Sequence, residues 1–514
     1  MISVSDAWSV EAYDSYRNVS ASALVSWKKA YNASYRAFTI GVSTIGGGDS
    51  IASSGVVTSD WLNYDYLDET EYLVSVEYER LLNMPLGGLT TAIANVQLDN
   101  TTGRYTPRIA GGSGELFTAQ SPRRPIIINA GFDFDGINNQ IPQFVGVTTK
   151  TPRYSRRSGV IELEANDFIG YLQNKYIDQT SMYTGQRSDQ IIQTLLTDLG
   201  FATAQFDLDT GINTIPFVMF EKGKRFSDAI SELSQAENAH FWQDEDGVLR
   251  FENRQHWDSF PHNEVQRVLP TSMVIESDIL GEDHIINVVE IEGEVREKQP
   301  SQVIWQLSGN LSIPAASSEE IFINFSDPVL QAYTPSGYVA NSADDGSGTD
   351  LSSSISIQVF DVFAQAAKIR FYNSSSQTAY ITNLVIYGRP AKVTSELYYR
   401  EQNDSSVTAY EERPIRITNP YIQNQSWAKS YAGIILNDFA SGENLQRIKI
   451  RALPELQLGD LISWQGRYWR IFGVKTIVSS DQGFVQELDL LQRAITTYFR
   501  IGISTIGSTD LIAP

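Results

Sequence analysis

Between residues 94 and 107 the chain alternates and then turns. Ala94, Val96 and Leu98 interleave with Asn95, Gln97 and Asp99, the period-2 pattern of a strand with one buried face. Asp99-Asn100-Thr101-Thr102-Gly103 then supplies turn formers, and Pro107 ends further pairing. Strand-like sequence runs on to Leu163-Glu164-Ala165-Asn166-Asp167. This block reads as a β-barrel-like module, with the rest of the chain added to it.

The 514 residues allow roughly three to five domains. Aromatic residues are plentiful (Tyr 25, Phe 23, Trp 9), and helical patterns are few, so a mainly β protein is expected. The formal charge of -22 repels phosphates and anionic lipids, and suits a surface past which a polyanion slides without sticking. Cysteine is absent, which removes disulfides, thiol nucleophiles and cysteine-based zinc sites. The first residues lack a basic stretch followed by an apolar one, so no secretory signal is expected. No apolar run approaches the ~18 residues of a membrane helix. A soluble protein made in a cytoplasm, without a membrane anchor, is the expectation.

Texture divides the chain. Residues 1–60 form an N-terminal arm, and 61–175 the first β-module, with strands near Tyr72, Ala94, Pro125, Gln143 and Val160. Asp167 is placed to cap a short helix. Residues 176–258 read as a small α/β domain. Ser188 and Ser227 start its helices, and Asp246-Gly247 turns a hairpin. Residues 259–300 and 395–496 read as a second β-module, with a helix capped by Ser426. Residues 301–394 hold short strands and Ser/Gly-rich loops, the pattern of an inserted β-sandwich of jelly-roll type. Residues 497–514 form a C-terminal arm.

The two arms share a segment. Residues 38–52 and 499–513 are identical at ten of fifteen positions, and each copy reads as a β-branched strand closed by a glycine turn. Two readings stand: similar edge strands in similar modules, or docking strands offered to neighbouring subunits by strand addition. The second assigns partner docking to Phe38, Ile40, Val42 and Ile45, and to Phe499, Ile501, Ile503 and Ile506.

Four blocks resemble the baseplate hub, or tail-hub, proteins of tailed bacteriophages. The first is residues 94–107 with Phe144-Val-Gly-Val147 and Leu163-Glu-Ala-Asn-Asp-Phe168. The second is Phe226-Ser-Asp-Ala-Ile-Ser-Glu-Leu233 with Asp244-Glu-Asp-Gly-Val-Leu-Arg-Phe251. The third is Ile369-Arg-Phe-Tyr-Asn373 with Ala379-Tyr-Ile-Thr382 and Tyr387-Gly-Arg-Pro390. The fourth is Leu456-Gln-Leu-Gly-Asp460. The resemblance implies two tail-tube-like β-domains, an α/β domain and an inserted sandwich. Three copies would form a ring of six similar domains in the virion tail, assembled in the host cytoplasm. Such a ring adapts the tail tube, or a distal tail protein, to tail-tip or fibre proteins, and passes DNA and the tape-measure protein. The family is structural, so it supplies no catalytic residues.

Little catalytic or metal chemistry is expected of the chain. Gly48-Asp49-Ser50-Ile51 resembles a GDSL-type nucleophile, but none of His240, His256, His262 and His284 has an Asp three residues before it. Oxygen-rich stretches at Asp133/Asp135/Asn138, Asp207/Asp209 and Asp344/Asp345/Asp350 lack the closing Glu of a calcium loop, and hairpin turns account for them. No metal and no cofactor are expected. Arg123, Arg124, Arg153, Arg156 and Arg157 make a basic patch, read either as solvated hairpin tips or as contact with an acidic neighbour in a ring. The insert offers Tyr333, Tyr338, Tyr372, Tyr380 and Tyr387, which leaves a host-surface carbohydrate binder as an alternative function and a tail-associated hydrolase as a third.

Overall fold

The computed structural model describes residues 1–14, 17–27, 66–106, 116, 123–134, 137–155, 159–279, 284–335, 337–441 and 445–493. Strands dominate throughout. Taken along the chain, β1 (Val19–Val25), β2 (Leu73–Leu81), β3 (Ile93–Asp99), β4 (Pro125–Phe134), β5 (Ile137–Thr148) and β6 (Val160–Asn166) come first. Helix α1 (Phe168–Leu172) follows directly, and its first turn is satisfied by Asp167, which accepts from the Gly170 amide at 3.0 Å.

The α/β part follows, with α2 (Ser188–Asp198), α3 (Phe226–Gln235) and the hairpin of β7 (His240–Gln243) and β8 (Leu249–Glu252). α2 begins at Ser188, as its sequence suggested, and α3 at Phe226, one residue before Ser227. Arg187 and Arg225 hold the N-cap positions, and the Ser188 hydroxyl turns inward to the Leu233 carbonyl, 3.2 Å away. Asp244 shapes the hairpin turn by accepting from the amides of Asp246 and Val248.

Next come β9 (Val274–Ile279), β10 (Val288–Lys298) and β11 (Ala379–Gln402), then α4 (Gln425–Phe439). Asn424 rather than Ser426 caps α4, accepting from the Ser426 amide at 2.8 Å. The chain closes with β12 (Leu445–Arg451), β13 (Leu461–Trp464), β14 (Arg467–Ser479) and β15 (Gly483–Arg493).

One 14-stranded sheet carries the architecture. Its main path runs β9-β12-β15-β14-β2-β3-β6-β5-β4-β1, ending on the short strand Leu67–Asp68. In the first half the sheet curls over itself. Val76, Val96, Leu98, Ile161 and Leu163 on one layer pack against Ile126, Ile128, Phe144 and Val25 on the other. Burying each such side chain contributes about 1.5–3 kcal/mol.

Two segments assigned by sequence to the second module lie elsewhere. β10 pairs with the last part of β11, from Lys298↔Ala391 to Val288↔Gln402, and forms a ribbon outside the large sheet. The first part of β11 continues into the insert, where short strands flank it. A second sheet of Ser317–Asn324, Ala366–Asn373 and Ile355–Phe360 covers that layer. Ile313, Ile369, Phe371, Ile381 and Ile386 fill the space between the two layers. The insert is therefore a two-layer β-sandwich with its own core. Among the described residues no helix is long and apolar enough to cross a membrane.

Buried carboxyl groups fix parts of this fold. Glu69 is fully buried and accepts from Trp27 Nε1 at 2.7 Å and Tyr105 Oη at 2.5 Å, with Arg104 beside it at 3.2 Å. Glu69→Ala strands these donors in the core, and should cost about 3 kcal/mol in urea denaturation, with Glu69→Gln losing less. Burial pushes Asp167 and Glu237 up to about 7, despite the backbone amides that donate to each. A carboxyl raised above its unfolded pKa stabilises the fold while protonated, and that contribution disappears as pH rises through the folded value. The wild-type protein should therefore lose stability between pH 5 and 8. The loss should shrink in Glu237→Gln, measured by denaturation midpoints across that range.

Candidate assembly surface

The two halves meet edge to edge. β14 pairs antiparallel with β2 over seven consecutive residues, from Gly473↔Leu81 to Ser479↔Ser75. A β-bulge between Ile471 and Gly473 shifts the register of β14 against β15 just before this pairing starts. N-terminal to the bulge, the same edge of β14 is occupied by β13.

A chain of buried polar side chains lies beneath the junction. Tyr78 donates to Gln143 at 2.7 Å, and Gln143 donates to the Pro454 carbonyl at 2.9 Å. Arg80, almost fully buried, donates to Gln457 and sits 3.2 Å from Glu245 of the α/β part. Gln486 donates to Thr476 at 3.2 Å and accepts from the Leu453 amide at 2.7 Å. Tyr78, Arg80 and Gln143 come from the first half, while Pro454, Gln457, Thr476 and Gln486 come from the second. Sequence reading missed this network. Its signal was a polar residue in phase with core positions: Arg80 follows Val76 and Tyr78 at period 2.

The opposite face of the sheet carries charge. Paired positions place Glu276, Lys449, Glu487, Lys475 and Glu79 in one row across β9, β12, β15, β14 and β2. The next row holds Asp278, Arg447 and Asp489, passes Gly473, which has no side chain to offer, and reaches Leu81 on β2. Arg447 grips Asp489 with two bonds of 2.6 and 3.0 Å, Lys475 reaches Glu77 at 2.8 Å, and Lys449 lies 3.8 Å from Glu487. These partners raise the pKa of Arg447 and of Lys475, chiefly through their hydrogen-bonded carboxylates. A groove of about 130 Å³ runs over Gly473 between Glu79, Arg447, Lys475, Glu487 and Asp489. Asp99, Glu162 and Glu164 extend the face on β3 and β6. Acidic groups outnumber basic ones across it.

Among the described residues, the groups singled out in sequence are not gathered into a catalytic site. Phe38, Ile40, Val42, Ile45, Phe499, Ile501, Ile503 and Ile506 lie outside the described residues, as do Gly48-Asp49-Ser50-Ile51, Asp135, Arg156 and Arg157. Asp133 stands at a hairpin end opposite Asn138. Asp207 pairs with Arg250, and Asp209 with His256 at 2.8 Å. Asp345 and Asp350 accept from backbone amides two residues on, which is turn geometry. Asp344 accepts through its backbone carbonyl from the side chain of Asn310, 34 residues earlier. Among the described residues no group of three or more acidic or histidine side chains is arranged to hold a metal ion.

Arg123 stacks over the Tyr171 ring at 5.3 Å, Arg124 is buried, and Arg153 lies opposite Glu162. His240 is buried against Trp257, and burial lowers its pKa to about 3. The His262 and His256 rings lie 4.8 Å apart, tilted by 40°. In the insert, Tyr372 and Tyr387 are exposed but stand on different sheets of the sandwich, while Tyr333, Tyr338 and Tyr380 are half-buried.

No protein-family model matches the chain, and no curated protein matches it. Solved structures similar to it include tail proteins. One is the 43 kDa tail protein of prophage MuSo2 from Shewanella oneidensis, at 9% identity over 82% of this chain and 94% of that one, TM-score 0.44. A second is a tail protein from Neisseria meningitidis MC58, at 11% identity over 84% and 94%, TM-score 0.45. A third is an Escherichia coli component of the type VI secretion system, described as structurally similar to the T4 bacteriophage tail proteins gp27 and gp5. It is 11% identical over 82% of this chain and 74% of that one, TM-score 0.38.

Proposed function

We propose that this chain is a structural hub of a phage-type tail, acting as a trimeric ring between tail tube and tail tip, without catalysis. The observation that carries the reading is the junction of two β-modules into one sheet through β2 and β14. A protomer that presents two sheet modules side by side contributes two positions to a ring, so three copies supply six. The blocks of sequence resembling tail hubs support the same assignment.

The charged face suits the lumen of that ring. Its excess of carboxylates repels DNA phosphates, and the alternating Glu276–Lys449–Glu487–Lys475–Glu79 row leaves no cluster of free cations to retain them. The tape-measure protein and DNA would pass over it, while tube and tip proteins would meet the two rims.

Native mass measurement of the full chain should give three times its 57.3 kDa, and electron microscopy a ring with a central opening. A stable monomer at micromolar concentration speaks against the hub. The wild-type protein should not retard duplex DNA in a gel at physiological salt. A variant carrying Glu79→Lys, Glu164→Lys and Glu487→Lys should retard it, with an affinity that falls steeply as salt rises. Retardation by the wild type would remove the lumen assignment for this face.

A further inference from the structure

We propose that the inserted sandwich binds a carboxylate-bearing saccharide on the outer face of its β11 layer, with Tyr387 as the stacking ring and Arg389 as the anion contact. The inference does not depend on the ring.

The phase of β11 builds the face. Between Asn383 and Arg389 the odd-numbered residues alternate with Leu384, Ile386 and Gly388, which are buried. Leu384 and Ile386 fill the core of the sandwich, so Asn383, Val385, Tyr387 and Arg389 point outward. Neighbouring strands add to the same side. Gln331 stands opposite Arg389, and Val303 opposite Tyr387. The Tyr333 amide donates to the Tyr387 carbonyl at 2.8 Å, and the Tyr333 hydroxyl donates to Gln331 Oε1 at 3.2 Å, which puts the Tyr333 ring on that face too. Tyr387 is 51% and Val303 48% exposed. The result is an open apolar strip of Tyr333, Tyr387 and Val303 beside a polar strip that holds Gln331 and Arg389.

Arg389 decides what the strip can take. Its side chain is half-buried, and its Nε is covered without a hydrogen-bond partner among the described residues. A guanidinium partly withdrawn from water is costly until an anion meets it. The other layer of the sandwich gives the comparison. There Arg370 donates to the Tyr372 hydroxyl at 3.2 Å, but it also donates to Glu320 at 2.6 Å and lies over the Phe360 ring at 4.6 Å. Arginine beside tyrosine is thus closed by a carboxylate of the chain itself on one layer and left open on the other, in a protein whose net charge is -22.

The ligand follows from these groups. The planar guanidinium matches a carboxylate through two parallel bonds. The Tyr387 ring, exposed on a flat sheet, offers its apolar body to the C–H face of a sugar, and the amides of Gln331 and Asn383 suit hydroxyl groups. An acidic peptide would instead want a groove or an open strand edge. Here β11 is flanked by Gln302–Gln306 on one side and Val329–Ala332 on the other, so it presents side chains and no edge.

Affinity electrophoresis of the full chain tests this, in native gels cast with polygalacturonate, hyaluronan or polysialate, and in control gels with dextran or polyglutamate. At least one acidic polysaccharide should retard the wild type, and neither control should. Arg389→Ala and Tyr387→Ala should each weaken the retardation about tenfold, and Arg389→Lys less, while Tyr372→Ala on the other layer should keep it. The melting midpoint should stay at the wild-type value in all four variants, which separates lost binding from lost folding. Absence of retardation in all three acidic gels overturns the proposal. Retardation that survives both alanine substitutions overturns it too, as does equal retardation by polyglutamate, which would reduce the contact to charge alone.

Discussion

The pairing of β2 with β14 is the contact on which the architecture turns. Each backbone hydrogen bond in it contributes only about 0.5–1.5 kcal/mol net, yet it decides which surfaces exist. Because the two modules share one sheet, their charged residues fall on one face and their apolar residues on the other. A slip of β2 by one residue would carry Glu77 and Glu79 into the core and bring Val76 and Tyr78 out of it. The register is thus held by burial on one side and by charge on the other.

The buried polar chain beneath the junction adds specificity that apolar packing would not. Burying Arg80 is costly, since desolvation of a guanidinium is only partly offset by Gln457 and Glu245. Leucine at that position would pack more cheaply but would tolerate several registers. Gln143 shows the same logic: its amide bridges Tyr78 Oη in one half and the Pro454 carbonyl in the other, and only one alignment of the modules satisfies both.

Legibility in the sequence followed locality. The β3 alternation, the Asp246-Gly247 turn, the Asp167 cap and the apolar stripe of α2 are set by residues within one turn or one strand, and each could be read directly. The 24-residue β11 could not. Gly388 and Pro390 look like breakers, but Gly388 lies opposite Gln302, and the Pro390 carbonyl accepts from the Gln299 amide, so the strand continues across the boundary of the insert. The inward turn of the Ser188 hydroxyl, to a carbonyl 45 residues away, was not legible either. Long-range partners chose the outcome at each of these places, and at Arg80 and Gln143, where a polar residue in a core phase was the only trace.

Charge on the sheet works at two scales. Within the rows that cross the junction, opposite signs face each other on neighbouring strands, because like charges directly opposite would weaken strand pairing. The stabilisation from each exposed pair is small, about 0.2–1 kcal/mol, and its effect is to make the junction neutral. The field comes from the flanks, where Asp99, Glu162 and Glu164 outnumber Lys150 and Arg153 on one side, and where Glu276 and Asp278 close their rows beyond Lys449 and Arg447 on the other. Neutral pairing at the centre and acidic flanks solve two separate problems on one surface. The strands must adhere to each other, and a polyanion must not adhere to them.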